Sequence, residues 1–331
     1  MTGFIPGLEL ARRFYQDWAA PRLAGLAHAG ALIGDGSEVL GFDSAMSTDH
    51  DWGARVQVFV ADPSRVALEP PPARFLDWPA PGVELTTLEA WVLKNLAVES
   101  GGPRSWRDWL AVPEQRLLAA TAGAVFHDDD GALTALRARL SYFPDDIWLY
   151  RLACQWGRIA EEHAFVGRAG ERGDDLGSRV IAARLARDIM GLGFLIERTY
   201  APYAKWLGAA FSRLPCAGAL APGLERAMAA ADWRSRETGL ADAAMAAARL
   251  HLARRLPGRF EARVGSYFER PFQVINADEI AESIRSEIVD PALRALPLVG
   301  GVDQVSDAAR VLAHARRAQA VGLAANTSEE T

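Results

Sequence analysis

Apolar and polar positions along the chain change period several times. Over residues 7–27, Leu8, Leu10, Phe14, Trp18 and Leu23 recur at roughly helical spacing, with Pro21 as a late interruption, which predicts a helix. A short apolar run from His28 to Ile33 then leads into the turn Gly34-Asp35-Gly36-Ser37. Residues 49–60 alternate: Asp49, Asp51, Arg55 and Gln57 share one face, and Trp52, Val56, Val58 and Val60 share the other. That pattern predicts a half-buried strand with both aspartates on its wetter side.

The proline-rich segment DPSRVALEPPPARFLDWPAPG reads as a loop, and VELTTLEAWV as a strand entering a helix. A helix is expected around PEQRLLAATAG, then a short strand, an acidic turn and a helix in AVFHDDDGALTALRARL. Beyond about residue 140 strands nearly vanish from the pattern. Asp145 or Asp146 after Pro144 starts a helix with Leu149, Leu152, Trp156, Ile159 and His163 as its apolar stripe and Gln155, Arg158 and Glu162 beside it. GRAGERGDDLGS reads as a connector, SRVIAARLARDIMGLGFLIERTY as a second amphipathic helix, and further helices are expected near 222–232, 238–256 and 278–289. The expected organisation is α+β: a small mixed sheet over residues 1–140, a helical domain over 141–324, and a disordered tail at 325–331.

Composition narrows the function classes. A chain of 331 residues favours two domains, and its net charge of −6 argues against a nucleic-acid partner, since phosphate binding normally needs a basic face. Cys154 and Cys216 offer no disulfide framework, and the six histidines show no H-x-x-x-H or Cys-paired spacing, so no zinc motif is read from sequence. Charges follow the N-terminus too closely for a signal peptide, and no apolar run approaches the ~20 residues that span a bilayer. A soluble cytoplasmic protein is expected, with no membrane partner; oligomeric state is not read.

Two aspartates spaced D-x-D on a strand stand about 7 Å apart on one side, near enough to share hard cations. Paired Mg²⁺ ions can activate a hydroxyl and neutralise charge on a phosphoryl group in transfer. A glycine turn such as Gly36-Ser37 complements this, because its amides can meet phosphate oxygens closely.

Gly36-Ser37-Glu38-Val39-Leu40-Gly41 followed by Ser47-Thr48-Asp49-His50-Asp51 resembles the signature of the DNA polymerase beta-like nucleotidyltransferase superfamily. The mixed first region and helical second region resemble its kanamycin nucleotidyltransferase-like branch. The stretch from YFPDDIWLYRLACQWGRIAEEHAFVGRAGERGDDLGSR to YAPYAKWLGAAFSRL is similar to a bacterial domain-of-unknown-function family (DUF4037). The resemblance implies transfer of an NMP, with ATP the expected donor, to a hydroxyl of a small molecule or protein. It implies Asp49, Asp51 and a third carboxylate on a later strand as Mg²⁺ ligands. Glu84 is chosen for the third, with Asp77 as competitor. Gly36 and Ser37 would cradle the triphosphate, and Glu162 of the helical domain, beside Glu161, would serve as base.

Blander readings stand beside these. Asp43 and Ser44 could bind phosphate or simply close a turn, His50 could be packed, and Arg55 could meet a phosphate or form a salt bridge. Arg158 and Glu162 fit an ordinary i,i+4 pair. Arg168, Asp174 and Lys205 could be solvated or fasten helices, and Trp106, Trp109, Trp148, Trp156 and Trp206 read as core. The alternative to an enzyme is a non-catalytic nucleotide-binding or interaction module that keeps the fold.

Overall fold

The computed structural model describes residues 3–49, 52–99 and 101–326. The chain forms two compact units: Met1–Asp108 with Val112–Ser141 and Ala308–Ala320, and Trp109–Ala111 with Tyr142–Asp307 and Val321–Thr331.

The first unit is built on a four-stranded mixed sheet. Its strands are β1 (Ala29–Leu32), β2 (Arg55–Phe59), β5 (Gly82–Thr86) and β6 (Ala124–Asp128), in the order β5-β2-β1-β6. β1 lies antiparallel to β2 and β6, whereas β2 and β5 run parallel, with Gln57 opposite Glu84. The proline-rich segment between β2 and β5 contains a small hairpin, β3 (Arg74–Phe75) and β4 (Trp78–Pro79). Leu76 and Asp77 at its tip both have positive φ, as a two-residue type I′ turn requires. Asp77 is therefore a turn residue.

The expected first helix is present as Gly7–Phe14, but Tyr15–Ala19 widens to π geometry before a last turn at Ala20–Arg22 that Pro21 opens. Leu10, Phe14 and Trp18 pack with Val56, Val58 and Val60 in one cluster with Trp52. The alternation of β2 thus divides its valines from Arg55 and Gln57. Gly30 makes room for the widened turn, since a β-carbon there would strike the Tyr15 ring.

In the second unit, helix Asp145–Glu162 buries its whole expected stripe, Leu149 to His163. Gln155, placed by the pattern on the polar side, is also buried, because it bonds Asp188 at 2.9 Å and Gln304 at 2.9 Å. Helices Asp175–Ile196, Ala217–Ala229, Trp233–Ala253 and Ala277–Arg285 follow. The Gly-rich connector is partly helical, as Phe165–Glu171, after which Asp174 caps the next helix by accepting from the Gly177 amide at 2.8 Å. The helical region also carries a hairpin, β7 (Val264–Tyr267) and β8 (Arg270–Ile275). Buried side chains satisfy outward amides of β8: His163 accepts from the Ile275 amide at 3.3 Å, and Glu237 from that of Gln273. Trp109, Trp148 and Trp156 are core, whereas Trp106 and Trp206 are partly exposed. A final helix runs over Ala315–Ala325, and residues 327–331 of the expected tail lie outside the described residues.

Candidate active site

Chain direction in the sheet brings the glycine turn and the entry to β2 to one end of the first unit. β1 runs out into Gly34–Ser37, and antiparallel β2 begins beside it at Arg55. Arg55 donates to the Asp35 carbonyl at 2.8 Å and to Glu38 Oε1 from Nη2 at 2.6 Å and from Nε at 3.1 Å. Glu38 is nearly fully buried beneath the turn. Gly36 is required there: its φ is +149°, and a β-carbon would sit 2.6 Å from Glu38 Oε2. From the other side Arg116, itself buried, donates to Asp35 Oδ2 at 2.9 Å and to the Ala313 carbonyl. Two guanidinium groups therefore hold the turn.

The turn closes through Leu40 N–H to the Gly36 carbonyl at 3.3 Å and Phe42 N–H to the Ser37 carbonyl at 2.8 Å. Among the described residues, the Gly36 and Ser37 amides have no hydrogen-bond acceptor. Asp43 ties the segment down, accepting from the Gly7 amide at 2.7 Å and from Trp52 Nε1 at 3.1 Å. Trp52 packs on Phe4 and Trp78, which explains an indole directly after the acidic pair. Asp43 is thus a structural ligand of the turn, and Ser44 likewise closes one, its amide donating to Ser47 Oγ at 3.1 Å.

Asp49 does not begin the strand as the alternation predicted. It ends a 3₁₀ helix, Ala45–Asp49, and β2 starts only at Arg55. The reason is local: Ser44 Oγ accepts from the Met46 amide at 3.3 Å and Thr48 Oγ1 donates to the Ala45 carbonyl at 2.9 Å, bonds that compete with a strand ladder. Asp49 is exposed on this segment. His50 and Asp51 lie outside the described residues.

Glu84 lies on β5 beside Gln57, the second residue after Arg55 on β2. Its carboxylate is exposed and meets Lys94 Nζ at 3.0 Å. Gln57 is buried and bridges back to β1, accepting from the Ile33 amide at 3.1 Å and donating to its carbonyl at 3.0 Å, so this part of the face is not wet. Glu162 belongs to the second unit and pairs with Arg184 at 3.2 Å. The expected Arg158–Glu162 pair is replaced, because Arg158 instead reaches Asp188 at 3.1 Å and the Gln304 carbonyl at 2.5 Å. Arg168 stacks over Phe165 and Tyr267, and Lys205 over Trp206.

Glu38 and Arg116 were not singled out from sequence. Glu38 stood inside the quoted motif, and a carboxylate two residues after a turn glycine is a weak signal. Arg116 gave none, since its contact with Asp35 joins positions 81 apart.

A family model, Domain of unknown function (DUF4037), matches residues 109–207, in agreement with the resemblance read there. A solved structure of a nucleotidyltransferase-like protein from Exiguobacterium sibiricum 255-15 is similar at 16% sequence identity over 79% of this chain and 83% of that one, with a TM-score of 0.34. No curated protein matches the chain. Among the described residues, no helix is long and apolar enough to cross a membrane.

Proposed function

We propose that the chain is a Mg²⁺-dependent nucleotidyltransferase that moves an NMP, from ATP as the expected donor, to a hydroxyl of a small molecule or protein. The observation that carries this reading is the junction of the Gly34–Ser37 turn with the start of β2, held by Arg55 and Arg116. The turn presents its Gly36 and Ser37 amides, an arrangement suited to phosphate oxygens, and the ion-paired guanidinium groups hold it in shape.

The candidate metal ligands, Asp49, Asp51 and Glu84, are all carboxylates, and Asp49 and Glu84 are exposed. Hard oxygen donors of this kind fit Mg²⁺. When bound, the ion neutralises phosphate charge and lowers the pKa of a ligated hydroxyl. In the proposed step the acceptor oxygen attacks the α-phosphorus, the bond to the bridging oxygen breaks, and pyrophosphate leaves. The hydroxyl proton passes to a carboxylate base. The turn amides hold the triphosphate while this occurs.

The acidic net charge supports a compact or protein acceptor over a nucleic-acid end. The Glu84–Lys94 pair favours a second reading, in which the third carboxylate is neutralised and the fold binds nucleotide without turning it over. Incubation with Mg²⁺ and each α-labelled NTP, alone and with cell extract, separates the two. Label transfer that is lost in Asp49→Asn supports the enzyme. Nucleotide binding without pyrophosphate release supports the module, and binding of neither kind removes both.

A further inference from the structure

The opposite end of β1 carries a second constellation that the nucleotide site does not use. His28 precedes β1; His127 lies near the end of β6, the antiparallel neighbour in which it faces Gly30, and Asp129 directly follows that strand. One donor atom from each of the three lies within 4.8 Å of the others. The imidazoles stack with centroids 4.5 Å apart.

Each donor is already oriented. His28 Nδ1 donates to the Leu26 carbonyl at 2.7 Å and lies 3.7 Å from Asp129 Oδ2, and Tyr15 Oη lies 2.9 Å from its Nε2. Asp129 Oδ2 accepts from the His28 amide at 2.9 Å, and Oδ1 lies 2.8 Å from His127 Nε2. The His28 side chain is 6% exposed, against 40% for His127 and 43% for Asp129, so one ligand is anchored in protein and two face solvent.

We propose that His28, His127 and Asp129 form a site for a divalent transition-metal ion, at the opposite end of β1 from the Gly34–Ser37 turn. Two imidazoles and one carboxylate are a nitrogen-rich set that selects zinc-like ions over Mg²⁺, and three protein ligands leave coordination positions for water. Donors around a tetrahedral ion at about 2.1 Å stand roughly 3.4 Å apart, so small side-chain rotations close the cluster. On binding through His127 Nε2, the ion takes the place of the hydrogen that Nε2 directs at Asp129, and the imidazole stays neutral by carrying that hydrogen on Nδ1.

The test is titration of chelator-treated full-length protein with Zn²⁺ against a chromophoric competitor, with Mg²⁺ in parallel and Co²⁺ as a spectroscopic probe. One Zn²⁺ per chain is expected, unaffected by excess Mg²⁺, with His127→Ala and Asp129→Asn each weakening it at least ~10-fold. Both positions are half open to solvent, so circular dichroism of the variants should match the parent. Asp49→Asn should leave Zn²⁺ binding unchanged, which keeps this result independent of the nucleotidyltransferase reading. No stoichiometric binding, equal affinity in His127→Ala and Asp129→Asn to that of the parent, or displacement by Mg²⁺ would overturn the proposal.

Discussion

Replacing Arg55 by Met should destabilise the first unit through Glu38 rather than through any lost ligand. Glu38 has 1% of its side chain exposed and Arg55 26%, with a closest approach of 2.6 Å. Removing one member of a buried pair costs about 3–5 kcal/mol, because the remaining charge has neither water nor partner. Water reaches the Arg55 side, so the lower end, about 3 kcal/mol, applies. Removing both charges leaves no orphan, and Glu38→Met/Arg55→Met should lie within about 1 kcal/mol of the parent. A double-mutant cycle should therefore give a coupling of at least roughly 2 kcal/mol, larger by whatever Glu38→Met costs alone. Urea unfolding followed by tryptophan fluorescence reads these differences, fitted to the transition of the first unit because two units need not unfold together. The same proteins titrated with ATP separate strut from ligand. A strut predicts that the double variant recovers binding along with stability. If Arg55→Met costs less than about 1 kcal/mol, or the double variant is no more stable than the single, the reasoning from burial fails.

Asp49→Asn should abolish Mg²⁺-dependent label transfer while leaving the melting temperature nearly unchanged, since the side chain is exposed; equal turnover would remove Asp49 from the site. Glu237 should make stability fall as pH rises. Burial pushes its carboxyl up from 4.5 to about 7, so the native state holds a proton that the unfolded chain has released. That contribution is full below pH 4.5 and is lost as pH climbs to about 7, at about 1.4 kcal/mol per unit of difference; Glu237→Gln should flatten the profile over that window, and an unchanged slope would refute it. Gly30→Ala should cost about 1–3 kcal/mol by overpacking, because the added methyl enters the space of the Tyr15 ring; thermal melts showing a neutral change would mean that the ring can move.

Elements with strong local periods were legible in the sequence. The helix at Asp145–Glu162 and the division of β2 into a valine face and an Arg55/Gln57 face follow from spacing alone. What escaped was decided by contacts between distant residues or by competing short-range bonds. Gln155 has the spacing of a surface residue, and its burial depends on partners, Asp188 and Gln304, that are 33 and 149 positions away. The β7–β8 hairpin was hidden because much of it is exposed and polar, and its outward amides are completed by His163 and Glu237 from helices. Asp49 lost its strand reading to a 3₁₀ turn held by Ser44 and Thr48, whose hydroxyls bond the backbone locally.

The two ends of β1 show why a motif points to one kind of candidate site and misses another. At the C-terminal end the glycine turn is contiguous in sequence, since conformation at Gly36 and the carboxylate beneath it are set within a few residues. A pattern can carry that information. At the N-terminal end His28 and Asp129 are 101 positions apart and meet only because β6 pairs antiparallel with β1. No spacing rule for zinc ligands applies to them, so the histidine count gave no warning. The bulge between Gly30 and Ala31 adds a register shift at the very point where His127 is aligned. Deleting that irregularity would move His127 by one position and turn its side chain to the opposite face of the sheet. The proposed metal site therefore depends on sheet register, whereas the proposed phosphate binding at the turn depends on backbone conformation. Register-shifting changes in β6 should abolish Zn²⁺ binding before they disturb the glycine turn.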